Sequence, residues 1–316
     1  VIKQRIKQLI RGIAKPVFRK EIQIIPAITA LYQEMMLGNG NADTSCEAIV
    51  FSKDRAMQLH ALLSSYYEQV SHPAKLTVLY TTSDERHFRS YEELKQLFKN
   101  VHFIREQDFK RDLENLLESI TSAKLFFMTD DGLFIDRFNL QDILPFNYFE
   151  VVPSVIKGMD LTYCYIQGKE QALPVFIQPA GFDLPRGMKC WEWSNAEEGS
   201  DWAYPLSLDT TFYNTREIHV MIKQAAYKGP NSLESALHEL YAPVFLQRKG
   251  ICYERSKYVN IVCNVVNTEH ANRNTGKHST ESLLKKWEEG YRIKYEALYG
   301  KTCGEAEQSS FEFTVR

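Results

Sequence analysis

The sequence predicts an α/β protein: a mostly parallel sheet flanked by helices, with an amphipathic helical segment before it and a less regular half after it. Three observations carry this. Strand-like and helix-like patterns alternate from Glu47 to Asp131 with short connections, as right-handed crossovers between parallel strands require. The apolar run Leu125, Phe126, Phe127, Met128 is short and unbroken, as in a strand covered on both faces. That run ends in Asp130 and Asp131, and Gly132 breaks the strand behind them. In open α/β sheets ligands collect beyond the carboxyl ends of the strands, so these carboxylates stand where a phosphorylated ligand and its cation would be met. An Asp-Asp-Gly turn also ends strands with no chemistry attached, because Asp bonds its own turn backbone and Gly supplies positive φ.

Taken in order, the chain opens on a basic stretch. Lys3, Arg5, Lys7, Arg11, Lys15, Arg19 and Lys20 interleave at helical spacing with Ile2, Ile6, Leu9, Ile10, Ile13 and Val17, and no acidic residue precedes Glu21. A helix over residues 1–20 either lies on an anionic membrane surface or docks its stripe on the domain with its charges solvated. Residues 38–45, Gly-Asn-Gly-Asn-Ala-Asp-Thr-Ser, read as a linker, which sets residues 1–45 apart. Ala48 to Phe51 is the first strand. Met57, Leu59, Leu62, Leu63, Tyr66 and Val70 then mark a helix face, and Leu76 to Tyr80 is the second strand. A helix around Tyr91 to Phe98, strand Val101 to Ile104 and helix Phe109 to Ile120 lead to the strand that carries the aspartates. Residues 46–150 therefore read as a nucleotide-binding half.

Composition narrows the function classes. A chain of 316 residues that is 44% hydrophobic, 12% aromatic and 25% charged buries a large core and is not disordered. A net charge of -2 gives no global pull towards nucleic acid, so none is expected as a partner. The cysteines 46, 164, 190, 252, 263 and 303 form no Cys-x-x-Cys pair and lack zinc-finger histidine spacing, as expected of reduced thiols in a cytosolic protein. There is no apolar run of about 18 residues and no charged-then-apolar leader. The expected location is the cytoplasm; were residues 1–20 to lie on a membrane rather than dock on the domain, the contact with the inner membrane would be peripheral.

The familiar phosphate devices are missing. Neither a Gly-x-Gly-x-x-Gly nor a Gly-x-x-x-x-Gly-Lys-Ser/Thr occurs, which argues against a dehydrogenase or a P-loop kinase. Ser52-Lys53-Asp54-Arg55 follows the first strand instead. Asp54 is placed to cap the next helix while Ser52, Lys53 and Arg55 face a nucleotide at its positive end; a capped surface helix with solvated charges is the other reading. The order Ala48-Ile-Val-Phe-Ser-Lys-Asp-Arg55, a helix, Val78-Leu-Tyr-Thr-Thr82 and Phe126-Phe-Met-Thr-Asp-Asp131 resembles the nucleotide half of a GT-A glycosyltransferase of the bacterial surface-polysaccharide type. The resemblance implies a Rossmann-like GT-A fold, a nucleotide-sugar donor, and a nucleotide site at Phe51, Ser52, Lys53, Arg55, Thr82 and Asp130. It also implies Mn2+ or Mg2+ on the diphosphate, held by Asp131 with Asp130 beside the ribose or the metal. The family's usual form is Asp-x-Asp, whereas this chain has Asp-Asp-Gly.

Residues 151–300 form the second half of the same domain. Met159 to Ile166 is a strand candidate. Trp191, Trp193 and Trp202, with Tyr204, Phe212 and Tyr213, either stack on acceptor sugars beside Glu192, Asn195 and Asp201, or fill a second core. Ser207-Leu-Asp-Thr-Thr-Phe-Tyr213 followed by Arg216-Glu-Ile resembles the acceptor-side strand before the family's catalytic helix. The resemblance then makes Glu234, in Gly229-Pro-Asn-Ser-Leu-Glu234, the base for the acceptor hydroxyl, with Asp209 its rival. Asn231 and Glu234 also stand at capping-box spacing, which accounts for both without chemistry. Val259 to Val266 reads as a strand. The family's late histidine metal ligand falls to His278 or His270, each of which a solvated loop would equally explain. Helix Thr280 to Leu298 closes the domain, and residues 301–316 read as a loose tail.

The expected activity is metal-assisted transfer of a hexose from a nucleotide-diphosphate donor to a glycan or lipid-linked acceptor in cell-surface polysaccharide synthesis. Arg55 or Arg273 assists the leaving diphosphate, and the anomeric centre inverts if the base lies on the far face of the donor sugar. Two other classes fit parts of the pattern. A sugar nucleotidyltransferase would want a Gly-rich, Arg-containing loop where Ser-Lys-Asp-Arg stands. A non-catalytic carbohydrate-binding protein would use the tryptophans and leave the aspartates as turn residues.

Overall fold

The computed structural model describes residues 43–264 and 278–316; the basic segment 1–20, most of the 38–45 linker, His270 and Arg273 lie outside the described residues. The central sheet has five strands in the order Phe212–Asn214, Lys124–Thr129, Cys46–Lys53, Lys75–Thr81, His102–Arg105. Its pairs are parallel except the first, where Phe212–Asn214 runs antiparallel to Lys124–Thr129. Helices Ala56–Gln69, Glu85–Leu97 and Phe109–Ser119 make the crossovers. Ala56–Gln69 buries the predicted stripe of Met57, Leu59, Leu62, Leu63 and Tyr66, while Val70 starts a two-residue strand instead. The other two helices start on Asp84 and Asp108, which accept the amides of His87 and Arg111, each at 2.9 Å. Leu125, Phe126, Phe127 and Met128 are at most 1% exposed, as a doubly covered strand requires.

This topology locates the crevice. The chain leaves Cys46–Lys53 on one side for Lys75–Thr81 and returns to its other side with Lys124–Thr129, so the strand order reverses between the two. Phe51 pairs with Thr129, which brings Ser52 and Asp130 side by side at the carboxyl edge of the sheet.

Past Asp131 the chain enters a different sheet. Gly132–Phe134 pairs with Tyr258–Ile261, which also pairs with Glu307–Gln308. A side chain at Gly132 has no room: its Cβ would stand 1.6 Å from the Tyr258 phenolic oxygen. A four-stranded sheet, Phe176–Ile177, Met188–Glu192, Lys249–Tyr253, Val151–Pro153, builds the rest of the second half. The buried Arg248–Glu217 ion pair ties the last-but-one of these strands to helix Thr215–Gln224.

Several expectations need correction here. Met159 to Ile166 yields only the two-residue strand Tyr163–Cys164, because Leu161 turns back on the Gly158 carbonyl. The helix from Thr280 stops at Glu288, since Gly290, at φ 85°, turns the chain into strand Tyr291–Ile293. Residues 301–316 are not a loose tail: Glu307–Gln308 joins Tyr258–Ile261, and Phe313–Val315 pairs with Tyr291–Ile293. Trp191, Trp193 and Trp202 are each 0% exposed, with Trp191 edge-on to the other two at 4.7 and 5.1 Å and flat over Gly250. They fill the second core and present no face to a sugar. All six cysteines are free, and among the described residues no helix is long and apolar enough to cross a membrane.

Candidate active site

The exit of strand Cys46–Lys53 is locked onto Asp130. Asp54 adopts a left-handed turn, φ 55°, and spends its carboxylate on the Ser83 amide at 2.8 Å rather than capping the helix. Arg55 becomes the N-cap residue with no side-chain cap bond, and its guanidinium crosses the crevice. Nη1 donates to Asp130 Oδ1 and Asp131 Oδ2, both at 2.9 Å, and Nη2 donates to the Asn264 carbonyl. The second oxygen of Asp130 accepts from Ser52 Oγ at 2.9 Å and the Lys53 amide at 3.1 Å, and the Ser52 hydroxyl also pairs with that of Tyr91. Burial pushes the Asp130 carboxyl up to about 6 against the pull of Arg55, which leaves it ionised at neutral pH.

Three expected site residues are reassigned by this geometry. Asp130 is 2% exposed with both oxygens engaged, so it organises the strand exit and does not face a ribose or a metal. The Phe51 ring is packed between Phe109 and Phe127 at 5.2 and 5.6 Å, inside the core. At the rim of the crevice stand the exposed Lys53 side chain, the half-buried Asp131, and Thr82, whose hydroxyl is buried without a partner. His278 packs against Phe311 and Phe313, at 5.4 Å from each ring.

The carboxylates far apart in sequence do come together. Thr129 Oγ1 donates to Asp209 at 2.7 Å, and Asn260 Nδ2 donates to its other oxygen at 2.9 Å. Next along the chain, the Leu208 amide donates to Glu234 Oε2 at 2.7 Å, and the Tyr204 hydroxyl bonds the same carboxyl. The helix Pro230–Phe245 that carries Glu234 is capped by Ser232, whose hydroxyl accepts the Gly229 amide at 3.1 Å. The Asn231–Glu234 capping box is thereby replaced, and Glu234 is left for the crevice. Burial, reinforced by the charge of Asp209, pushes Glu234 up to about 7, against the Leu208 amide and Tyr204. Burial and the charge of Asp131 raise Asp209 too, and burial with Asp201 and Asp209 pushes Glu307 up to about 8.

The described residues do not fit the expected cation. A guanidinium bridges Asp130 and Asp131, Thr129 and Asn260 occupy the oxygens of Asp209, and His278 is packed on aromatic rings. Among the described residues, no three His, Cys, Asp or Glu side chains are grouped so as to hold a metal ion.

Tyr91, Lys157, Asn260 and Glu307 escaped the sequence reading as site residues because each reaches the site from a different segment and belongs to no local motif, and Tyr204, read there as a sugar-stacking aromatic, instead bonds Glu234. Lys157 alone left a signal: a cation directly after the apolar pair Val155 and Ile156, both of which are buried.

No protein-family model matches the chain. Over 188 residues it is 27% identical to the bifunctional glycosyltransferase pgtA of Dictyostelium discoideum. That match takes in 55% of this chain and 24% of the relative, so the chain spans a minor part of the relative's length. Among solved structures it is similar to residues 1–349 of S. aureus TarS, at 14% identity over 68% of this chain and 59% of that one, with a TM-score of 0.41. The same fragment in complex with UDP gives 15% identity over the same shares and a TM-score of 0.40. A nucleotidyl transferase from Methanothermobacter thermautotroptrophicus gives 10% identity over 69% and 89%, with a TM-score of 0.37.

Proposed function

We propose that this chain is a glycosyltransferase that moves a hexose from a nucleoside diphosphate to a hydroxyl of a glycan or lipid-linked acceptor. The observation that carries the reading is the chain of charges at the switch point of a parallel sheet, from the Arg55–Asp131 pair through Asp209 to a carboxyl, Glu234, raised to about 7. The likeness to pgtA, itself named a glycosyltransferase, supports it.

The parts divide the work by charge. Helix Ala56–Gln69 begins at the crevice with no acidic residue in its first turn and no side-chain cap, so its positive end suits a diphosphate. Lys53 and Thr82 stand at the rim for the nucleotide. Arg55 supplies a fixed cation that offsets Asp130 and Asp131, without which two carboxylates would repel the donor. As the bond from the anomeric carbon to the phosphate oxygen breaks, its electron pair leaves with the nucleoside diphosphate. The acceptor oxygen forms the new bond to that carbon and gives its proton to Glu234. One displacement of this kind inverts the anomeric configuration. Tyr204 and the Leu208 amide hold the Glu234 carboxyl in place for that transfer.

The test is a panel of nucleoside diphosphate sugars, with release of the nucleoside diphosphate followed by chromatography. The reading expects one donor to be hydrolysed slowly, and faster with a saccharide acceptor. No release from any donor would overturn it.

A further inference from the structure

The polar groups around Asp209 are not balanced by the protein. Lys157 is 4% exposed and forms no hydrogen bond or ion pair with a described residue, yet its charge acts on Asp209, Glu234 and Glu307. Glu307 pairs with Asn260 in the parallel ladder, and its Oε2 is buried without a partner. Asn260 gives its amide to Asp209 and leaves Oδ1 buried and unpaired. Thr210, 0% exposed and held in a left-handed backbone at φ 52°, has a hydroxyl that also lacks a partner. Native interiors pair their buried polar groups, so unpaired groups on three separate segments around one carboxylate mark a place that a ligand completes.

We propose that Lys157, Asn260 and Glu307 form the subsite for the acceptor sugar, reading neighbouring hydroxyls of a neutral ring whose reacting hydroxyl is directed to Glu234. The inference rests on the transferase reading and names its second substrate. The chemistry selects the class. Lys157 only donates, the Asn260 oxygen accepts, the Glu307 carboxyl, raised to about 8, can donate or accept, and each sugar hydroxyl does both, so a polyol satisfies all of them at once. An anion would meet the carboxylate of Asp209, and a cation would meet Lys157. This subsite stands in place of the tryptophan platform that the sequence suggested, whose rings are buried.

The test compares Lys157→Met and Glu307→Gln with the parent, using the nucleoside diphosphate sugar that the parent hydrolyses and a panel of p-nitrophenyl hexopyranosides as acceptors. Thermal unfolding of each variant checks that it is folded, and Glu307→Gln keeps the shape of the side chain it replaces. The expected result is an acceptor KM at least tenfold higher in both variants, with the rise falling on the acceptor KM rather than the donor KM. An unchanged acceptor KM in both folded variants overturns the subsite. So does a rise confined to the donor KM, which would give these groups to the donor ring. Donor hydrolysis by the parent that no hexoside accelerates overturns the neutral-ring class. Absence of any turnover would instead remove the transferase reading, and this inference with it.

Discussion

Replacing Arg55 by Met removes the cation on which the crevice is organised. The guanidinium is 9% exposed and the Asp130 side chain 3%, so neither partner is screened by solvent. Truncation deletes two ion-pair contacts of 2.9 Å and the bond to the Asn264 carbonyl, leaving Asp130 with only Ser52 and the Lys53 amide. Breaking a buried pair from one side costs about 3–5 kcal/mol, mostly the uncompensated charge that remains. The pH dependence follows from the sign. Asp130, already raised to about 6 with Arg55 present, rises further without it, so its folded value lies above its unfolded one. The ionised form then destabilises the fold above that value, and protonation relieves the loss as the pH falls. Urea denaturation of Arg55→Met should show a loss of about 3–5 kcal/mol near neutral pH and a smaller one near pH 5.5. Adding Asp130→Asn should recover about 1–3 kcal/mol as a coupling term. A loss below about 1 kcal/mol at neutral pH, with no coupling to Asp130, would contradict the buried-pair reading.

Three further outcomes are expected. Glu234→Gln should lower kcat about 10²–10⁴-fold, as removal of a general base does. In the parent, kcat should rise with pH through about 7 as Glu234 loses its proton, and a pH profile of nucleoside diphosphate release that keeps this limb in the Gln variant would move the base elsewhere, to Asp209 first. Trp202→Ala should cost about 3–5 kcal/mol in chemical denaturation, because a fully buried indole leaves a cavity; a variant of parental stability that can no longer be saturated with acceptor would restore the sugar-stacking role. Gly132→Ala should lose about 1–3 kcal/mol by overpacking against Tyr258, and the additional change Tyr258→Ala should erase the extra cost of the methyl group, as a drop and a non-additive response in Tm would show.

The first half of the fold was legible because its signals are local. Unbroken apolar runs, helix stripes and the polar exit Ser52 to Arg55 each lie within a few residues, and the resulting strands and helices fall where those patterns stand. Asp130 misled for a related reason: adjacent carboxylates look alike in sequence, and only the crossing of Arg55 from the next helix separates the buried one from the one at the crevice. The second half was harder, since its strands are two to five residues long and pair across large sequence distances. The tail illustrates this, for nothing near Glu307 announces that it pairs with Asn260. The tryptophans show the same limit, because the pattern that suits a sugar platform also suits a core, and Gly250 opposite Trp191 decides between them.

The most direct measurement is a crystal structure grown with the nucleoside diphosphate of the donor that the protein turns over. We expect its phosphates at the start of helix Ala56–Gln69, between Lys53 and Asp131, with the Arg55 bridge to Asp130 intact. Nucleotide bound elsewhere on the molecule, or a switch-point crevice left empty at saturating concentration, would contradict the assignment.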